Sequence, residues 1–251
     1  QRQHTTHRRA GRRLGYGLRE PCPVCGRLRD EAALPGHRVH VGCAGGIGTP
    51  EAAAAAFLMG ADFVLTGSVN QCSVEAATSA AVKDLLQEAQ EYDVDTAPWS
   101  ELFEHGVQAR YLKRGQFFPA RASRLHDLWR RHASLAELDA PTRKQVFDRY
   151  LGGEDPGATA AGPDPKAELA EVFRAYFRRG LRLAVTGDRQ ATVDYLVHCG
   201  PAMGAFNQAV AGTSLQPWRA RTVEAVADHL MDGAAAHVTA RLRALRPAQK
   251  I

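Results

Sequence analysis

Two short apolar runs, each followed by a glycine turn and then by a helical pattern, organise residues 38–91. Residues 38–43 (RVHVGC) alternate between polar and apolar positions, and residues 63–66 (FVLT) are rich in aromatic and branched side chains. Both patterns are typical of short buried strands. Residues 49–59 and about 73–91 predict helices after the two turns. The order of strand, turn and helix, repeated twice, predicts a parallel α/β fold.

The first predicted helix has a well-marked beginning and end. Thr49 is a good N-cap, Pro50 suits the first helical position, and Glu51 faces the positive end of the helix. Gly60 follows the last apolar residue and predicts the end of the helix.

After residue 91 the pattern becomes helical, and we predict no return of the strand–helix alternation. Residues 152–165 (GGEDPGATAAGPDP) read as a flexible loop. We therefore predict an irregular basic segment at 1–35, two βα units at 36–97, and a mostly helical domain at 98–251. Apolar residues recur at helical spacing in 99–104, 119–132, 141–151, 166–179, 201–210 and 222–245.

The two glycine turns are the strongest candidate for a binding site. Gly45-Gly46 and Gly67-Ser68 follow consecutive predicted strands, and backbone N–H groups in such turns bind phosphates. We expect the helix N-terminus at Thr49 to join this site. The alternative is two tight turns that bind nothing. The spacing is neither GxGxxG nor GxxxxGK[ST], which disfavours a Rossmann site and excludes a Walker ATPase.

Composition narrows the class of protein. The chain has 251 residues, of which 45% are hydrophobic and 24% charged, as in globular proteins. The apolar stretch at 52–59 is far shorter than the roughly 20 residues of a membrane span. Five cysteines are too few, and odd in number, for a disulfide scaffold. We therefore predict a cytoplasmic protein with reduced thiols and no membrane partner.

The positive charge is concentrated near the beginning of the chain. Residues 1–40 hold nine arginines and three acidic residues, although the formal charge of the whole chain is only +5. A basic arm of this kind can bind phosphates. However, Tyr16 is its only aromatic residue, and arginine outnumbers lysine throughout the chain. We predict no nucleic-acid partner and a solvated arm.

Two sets of cysteines are candidates for chemistry. Cys22 and Cys25 stand before His37 and His40 with the pattern C-x2-C-x11-H-x2-H, in which the histidines are too close for a zinc finger. We predict no metal site. Cys72 and Cys199 have no His or Asp partner at a known spacing, so we predict buried apolar thiols rather than nucleophiles.

Residues 45–71 (GGIGTPEAAAAAFLMGADFVLTGSVNQ) resemble the flavin-phosphate region of the nitronate monooxygenase-like barrels. More narrowly, they resemble the PfaD family, the stand-alone enoyl reductases of polyunsaturated fatty acid and polyketide synthases. Residues 103–130, 194–207 and 222–245 resemble the C-terminal helical domain of that family, in the same order. The resemblance covers about 36–247, and its second domain distinguishes it from plain nitronate monooxygenases.

This resemblance implies an FMN-dependent (β/α)8 TIM-type barrel with a helical appendage. Its reaction would be the NADPH-driven reduction of an enoyl thioester held on an acyl carrier protein. The family's phosphate-binding turns correspond to Ala44, Gly45, Gly46, Thr66, Gly67 and Ser68. His4 is the candidate catalytic acid, because Gln3-His4-Thr5 stands where the family has Gly-His-Thr.

Two further segments that resemble the family can each be interpreted in more than one way. Residues 199–207 (CGPAMGAFN) are specific to the family, and we assign them no chemical role; the simple interpretation is a helix–helix contact built on Gly200 and Gly204. Lys113-Arg114 either meets the acidic carrier protein or its phosphopantetheine arm, or forms a solvated turn.

The barrel is incomplete, because only its last two βα units can be recognised. We therefore expect the chain to be the C-terminal part of a longer reductase, with open strand edges, and to bind FMN weakly or not at all by itself. Two other functions remain open: a nitronate monooxygenase-like flavin oxidase, and a non-catalytic module that docks a carrier protein.

Overall fold

The computed structural model describes residues 21–31, 39–154 and 164–245. Within these ranges the chain forms four β-strands and eight α-helices, joined by short 3-10 turns and one π-helical turn at Gln145–Tyr150. The strands are β1 (Gly42–Ala44), β2 (Phe63–Leu65), β3 (Val94–Pro98) and β4 (Gln108–Leu112). The helices are α1 (Pro21–Glu31), α2 (Pro50–Leu58), α3 (Ala80–Gln87), α4 (Phe118–Arg131), α5 (Ala140–Lys144), α6 (Pro165–Thr186), α7 (Ala202–Ala209) and α8 (Val223–Ala244).

Strands β1 and β2 pair in parallel, as predicted, with Ala44 opposite Leu65. Strand β1 begins at Gly42 and is shorter than the predicted run at 38–43. One face of the pair is covered by apolar side chains of α2 and α8. On the other face Phe63 and Leu65 are 47% and 59% exposed. Since parallel strands are normally buried on both faces, this face is open to a further layer.

Helix α2 follows its predicted bounds closely and packs against α8. The Thr49 hydroxyl oxygen accepts a hydrogen bond from the Ala52 N–H at 3.2 Å, which confirms the predicted N-cap. Gly60 has a φ of +93°, which a residue with a side chain rarely adopts. A Cβ at Gly233 would lie 2.7 Å from the Pro50 ring, so α8 approaches the first turn of α2 closely.

The helix predicted at 73–91 is mostly not helical. Residues 68–72 form a 3-10 turn, 73–79 are irregular and the helix ends before Glu88, so α3 covers only the middle of the predicted range. The buried Lys83 ammonium donates hydrogen bonds to the carbonyls of Val74 and Ala76, which satisfies backbone groups that a helix would otherwise pair. The Val74 N–H is bonded to the Arg221 carbonyl. Tertiary contacts therefore override the helical pattern.

The antiparallel hairpin of β3 and β4 was not predicted within the region expected to be mostly helical. The two strands pair from Val94 opposite Leu112 to Pro98 opposite Gln108. Their residues show no clear alternation, because only the ends of the strands, such as Ala97 and Tyr111, reach the core. The predicted division between residues 97 and 98 falls inside β3, and the division into domains stays a prediction.

Two apolar clusters support the helical part of the chain. The larger one is aromatic and lies between the hairpin, α4 and α6. The second joins α3, α7, α8 and the residues before α7. Beside them, the buried Asp194 carboxylate forms ion pairs with Arg121 and with Arg179. None of the helices in the described ranges is long and apolar enough to cross a membrane.

Candidate functional site

The two glycine turns begin at the carboxyl ends of β1 and β2, which lie side by side. Because Ala44 pairs with Leu65, the turns begin at neighbouring positions of the sheet. Gly45 and Gly46 have φ values of +88° and +77°, and both are exposed. A Cβ on Gly45, Gly46 or Gly67 would meet no atom of the described residues within 4 Å. The backbone of both turns is therefore open to a ligand along one edge.

The N-terminus of α2 does not extend this open edge, contrary to the sequence-based expectation. Pro50 has no N–H, and the Ala52 N–H is bonded to Thr49. Hydrogen bonds from the backbone N–H of Glu51 and from the Thr49 hydroxyl to the Glu51 carboxylate hold the pKa of this carboxyl group below its ordinary value. The donors of the first turn are thus satisfied within the chain, and the carboxylate adds a negative charge there.

A five-residue stretch before and into α7, here called the bridging segment (residues 198–202), contacts both turns. The Gly200 N–H donates to the Ser68 hydroxyl oxygen at 2.7 Å, and the Gln71 amide donates to the His198 carbonyl at 2.9 Å. A Cβ at Gly48 would lie 2.2 Å from the Ala202 carbonyl oxygen, so only glycine fits there. The bridging segment therefore holds the first turn at Gly48 and the second at Ser68.

The motif at 199–207 anchors the bridging segment to the end of α3. A Cβ at Gly204 would lie 2.1 Å from the Gln90 carbonyl carbon, so backbone meets backbone there. The Asn207 amide donates to the carbonyls of Leu86 and Ala89 at 2.9 and 2.8 Å. Helix α7 therefore contacts the end of α3, as in the simple interpretation, but the glycines have different partners: Gly204 packs on the turn after α3, and Gly200, which precedes α7, packs on Ser68.

Arg221 completes this anchor and was not identified from the sequence. Its side chain is 1% exposed, and its guanidinium donates to Asn207 Oδ1 at 2.9 Å and to the carbonyls of Leu215 and Gln216 at 2.8 and 2.7 Å. It also lies over the Phe206 ring. Burial lowers the pKa of Arg221. In a chain so rich in arginine, no local signal separates this residue from exposed ones.

The two thiols near this anchor are inert at neutral pH. Burial raises the pKa of Cys72 to about 11 and that of Cys199 to about 12. Because the thiolate is the nucleophile, neither residue is activated. The prediction that both thiols are buried is confirmed, although Cys72 Sγ also contacts the Arg221 guanidinium at 3.6 Å.

The structure brings six of the seven predicted site residues to one edge of the sheet. Ala44 ends β1, and Gly45 and Gly46 follow it, whereas Thr66, Gly67 and Ser68 follow β2; the Thr66 hydroxyl donates to Asn70 Oδ1 at 3.0 Å. The seventh, His4, lies outside the described residues.

The remaining candidates are described only in part by the structure. His37 and the side chain of Cys22 lie outside them, and no group of three metal-ligating side chains occurs within them. Lys113 and Arg114 form an exposed turn after β4, where Arg114 pairs with Asp93 at 3.3 Å. The absence of a metal site and the role of Lys113-Arg114 stay predictions.

Comparison with known proteins gives this arrangement a context. The chain is 45% identical over 239 residues to the polyketide biosynthesis protein PksE of Bacillus subtilis, covering 89% of this chain and 31% of PksE. It is 37% identical over 212 residues to one component of the polyunsaturated fatty acid synthase of Thraustochytrium, covering 76% of this chain and 10% of that component. Residues 146–195 match a family model described as the inserted helical domain of [acyl-carrier-protein] S-malonyltransferase.

A solved structure shows the same fold. The enoyl reductase domain of MlnA, from the macrolactin biosynthesis cluster of Bacillus amyloliquefaciens, superposes with a TM-score of 0.85 at 38% identity. The match covers 92% of this chain and 56% of that domain. The chain thus spans about half of the MlnA domain and a third or less of these curated relatives.

The fold and the relatives define a protein similar to the enoyl reductases, which are oxidoreductases, of polyketide and polyunsaturated fatty acid synthases. Within that class, the resemblance to the PfaD-type enoyl reductases is confirmed.

Proposed function

We propose that the chain forms the flavin-phosphate end and the helical domain of an FMN-dependent enoyl reductase. The reductase would use NADPH to reduce the enoyl group of a thioester on an acyl carrier protein of a polyketide or fatty acid synthase. The observation that carries this proposal is the pair of open glycine turns at the ends of β1 and β2, held together by the bridging segment.

The groups on this edge fit a phosphate. The open backbone at Gly45, Gly46 and Gly67 lets an anion approach N–H groups directly. Ser68 accepts a hydrogen bond from Gly200, so the hydroxyl hydrogen of Ser68 remains to be donated. Each charge-assisted hydrogen bond contributes about 1.5–3 kcal/mol, so three or four suffice without a lysine or arginine.

When bound, FMN would supply the hydride transfer to the enoyl double bond. The role of this chain is to hold the phosphate end of the cofactor in a fixed position. His4 remains the candidate acid that gives the proton to the α-carbon.

The uncovered face of β1 and β2 supports the view that this segment works within a larger barrel. Phe63 and Leu65 are exposed there, and both PksE and the MlnA domain are longer than the part that matches this chain. We propose that further βα units, as in the MlnA domain, complete a (β/α)8 barrel over this face.

A second candidate is a module that docks an acyl carrier protein without catalysis. The match of residues 146–195 to a helical domain inserted in an acyl-carrier-protein malonyltransferase favours it. The exposed turn at Lys113-Arg114 offers positive charge to an acidic carrier protein.

Both candidates can be tested with a fusion protein, here called the extended enzyme. It joins this chain to the part of the MlnA domain that has no counterpart in the chain. We expect the extended enzyme to purify with FMN and to oxidise NADPH when given an enoyl thioester on a carrier protein. The chain alone is the control, and we expect it to bind FMN weakly or not at all.

Three results would overturn the assignment. A folded extended enzyme without flavin would refute the phosphate site. Oxidation of alkyl nitronates without enoyl reduction would favour the nitronate monooxygenase-like oxidase. Carrier-protein binding by the chain, with neither flavin nor turnover in the extended enzyme, would favour the docking module.

A further inference from the structure

The bridging segment contacts the phosphate edge directly at Ser68, whose hydroxyl oxygen accepts a hydrogen bond from the Gly200 N–H at 2.7 Å. We propose that Gly200 is a positioning residue, whose amide orients the Ser68 hydroxyl as a donor to the cofactor phosphate. This inference rests on the proposed flavin-phosphate site and adds a role for the motif at 199–207.

The chemistry of a hydroxyl explains why this contact matters. Serine oxygen can accept a hydrogen bond and donate its own hydrogen, and the hydrogen rotates to suit its partner. Once an N–H occupies one lone pair, the hydroxyl hydrogen points to another side of the oxygen. Gly200 therefore leaves Ser68 free to donate, whereas a carbonyl partner would have consumed the hydroxyl hydrogen.

The position of Gly200 is fixed from both sides. Ahead of it, the His198 carbonyl accepts from Gln71, which lies in the same 3-10 turn as Ser68. Behind it, the backbone of Ala202 packs on Gly48 so closely that no Cβ fits at Gly48. Because both neighbours are held, the Gly200 amide cannot shift without moving one of the turns.

The side of Gly200 that faces Ser68 has no spare room. A Cβ added at Gly200 would lie 3.3 Å from Ser68 Oγ, which is closer than most real contacts of this kind. Gly200→Ala keeps the N–H but pushes the hydroxyl by a few tenths of an ångström. The substitution thus disturbs the orientation of Ser68 without removing either group.

The test compares FMN with riboflavin, which lacks the phosphate, in the extended enzyme. We expect Ser68→Ala to raise the Kd of FMN about tenfold or more and Gly200→Ala to raise it about fivefold, with the Kd of riboflavin unchanged. The double variant should match Ser68→Ala, because Gly200 acts through Ser68. Gly26→Ala, at a glycine with no described atom near its Cβ position, is the control and should match the unmodified enzyme.

The outcomes separate this inference from the proposed function. Equal weakening of riboflavin and FMN, or additive effects in the double variant, would overturn the positioning role while leaving the flavin site in place. Failure of the unmodified extended enzyme to bind FMN would overturn the proposed function itself. If Gly200→Ala does not fold, the hydrogen-exchange rate of the Gly200 amide in the extended enzyme is measured instead. This rate should rise in Ser68→Ala and fall when FMN binds to the unmodified enzyme. Any other result refutes the inference.

Discussion

Replacing Arg221 by methionine should destabilise the chain more than any change to an exposed arginine. Methionine retains most of the apolar stem, so the perturbation is confined to the guanidinium. Its removal leaves Asn207 Oδ1 and the carbonyls of Leu215 and Gln216 without their donor. In the described residues, Arg221 is the buried link between α7 and the segment that leads into α8.

The magnitude follows from two opposing effects. Hydrogen bonds to a charged group contribute about 1.5–3 kcal/mol each, and three to oxygen acceptors are lost, together with a longer contact of the guanidinium to Cys72 Sγ at 3.6 Å. Against this, the substitution relieves the cost of burying a cation, which is several kcal/mol. We expect a net loss of about 3 kcal/mol in the free energy of unfolding for Arg221→Met. For a chain of this length, the melting temperature should fall by about 6–12 °C.

Urea unfolding and thermal melts of the two variants Arg221→Met and Arg219→Met measure this effect. Arg219 is two positions away, 70% exposed, and lies over the Trp218 ring, so its loss should cost less than about 0.5 kcal/mol. A difference below about 1 kcal/mol between the variants would refute the reasoning. In the extended enzyme, Arg221→Met should also weaken FMN binding, because Asn207 loses a bond that holds α7.

Three further predictions follow from individual contacts. Gly204→Ala should lower the free energy of unfolding by about 3 kcal/mol, because its Cβ would overlap the Gln90 backbone; a loss below about 1 kcal/mol would contradict this. The free energy of unfolding should fall as pH rises above about 9, because unfolded thiols ionise near pH 8.5 whereas the folded thiols of Cys72 and Cys199 keep their protons to about pH 11 and 12. Urea titrations at pH 8 and pH 10 measure this change, and an equal free energy of unfolding at the two pH values would contradict these pKa values. In the extended enzyme, His4→Gln should lower kcat at least about a hundredfold without changing the Kd of FMN, and an unchanged kcat would remove His4 as the acid.

Local sequence determined the part of the site that depends on single turns and caps. Thr49 and Pro50 are sufficient to begin α2, and Gly60 to end it, because each satisfies or removes backbone groups of its own helix. The glycines at 45, 46 and 67 likewise mark open turns, since a missing side chain has a local consequence. The parallel pairing of β1 and β2 followed from the helix between them.

Tertiary structure decided which of these local features meet. Helix α3 is short because Lys83 and Arg221 satisfy backbone groups of residues 74–76 from elsewhere in the chain. The bond between Gly200 and Ser68 joins residues 132 positions apart, and periodicity carries no information on such contacts. The sequence alone therefore determined the helix caps and the open turns, where partners are a few residues apart. The bridging segment and the Arg221 anchor were decided by packing, because a buried polar group takes whichever partner the folded chain brings to it.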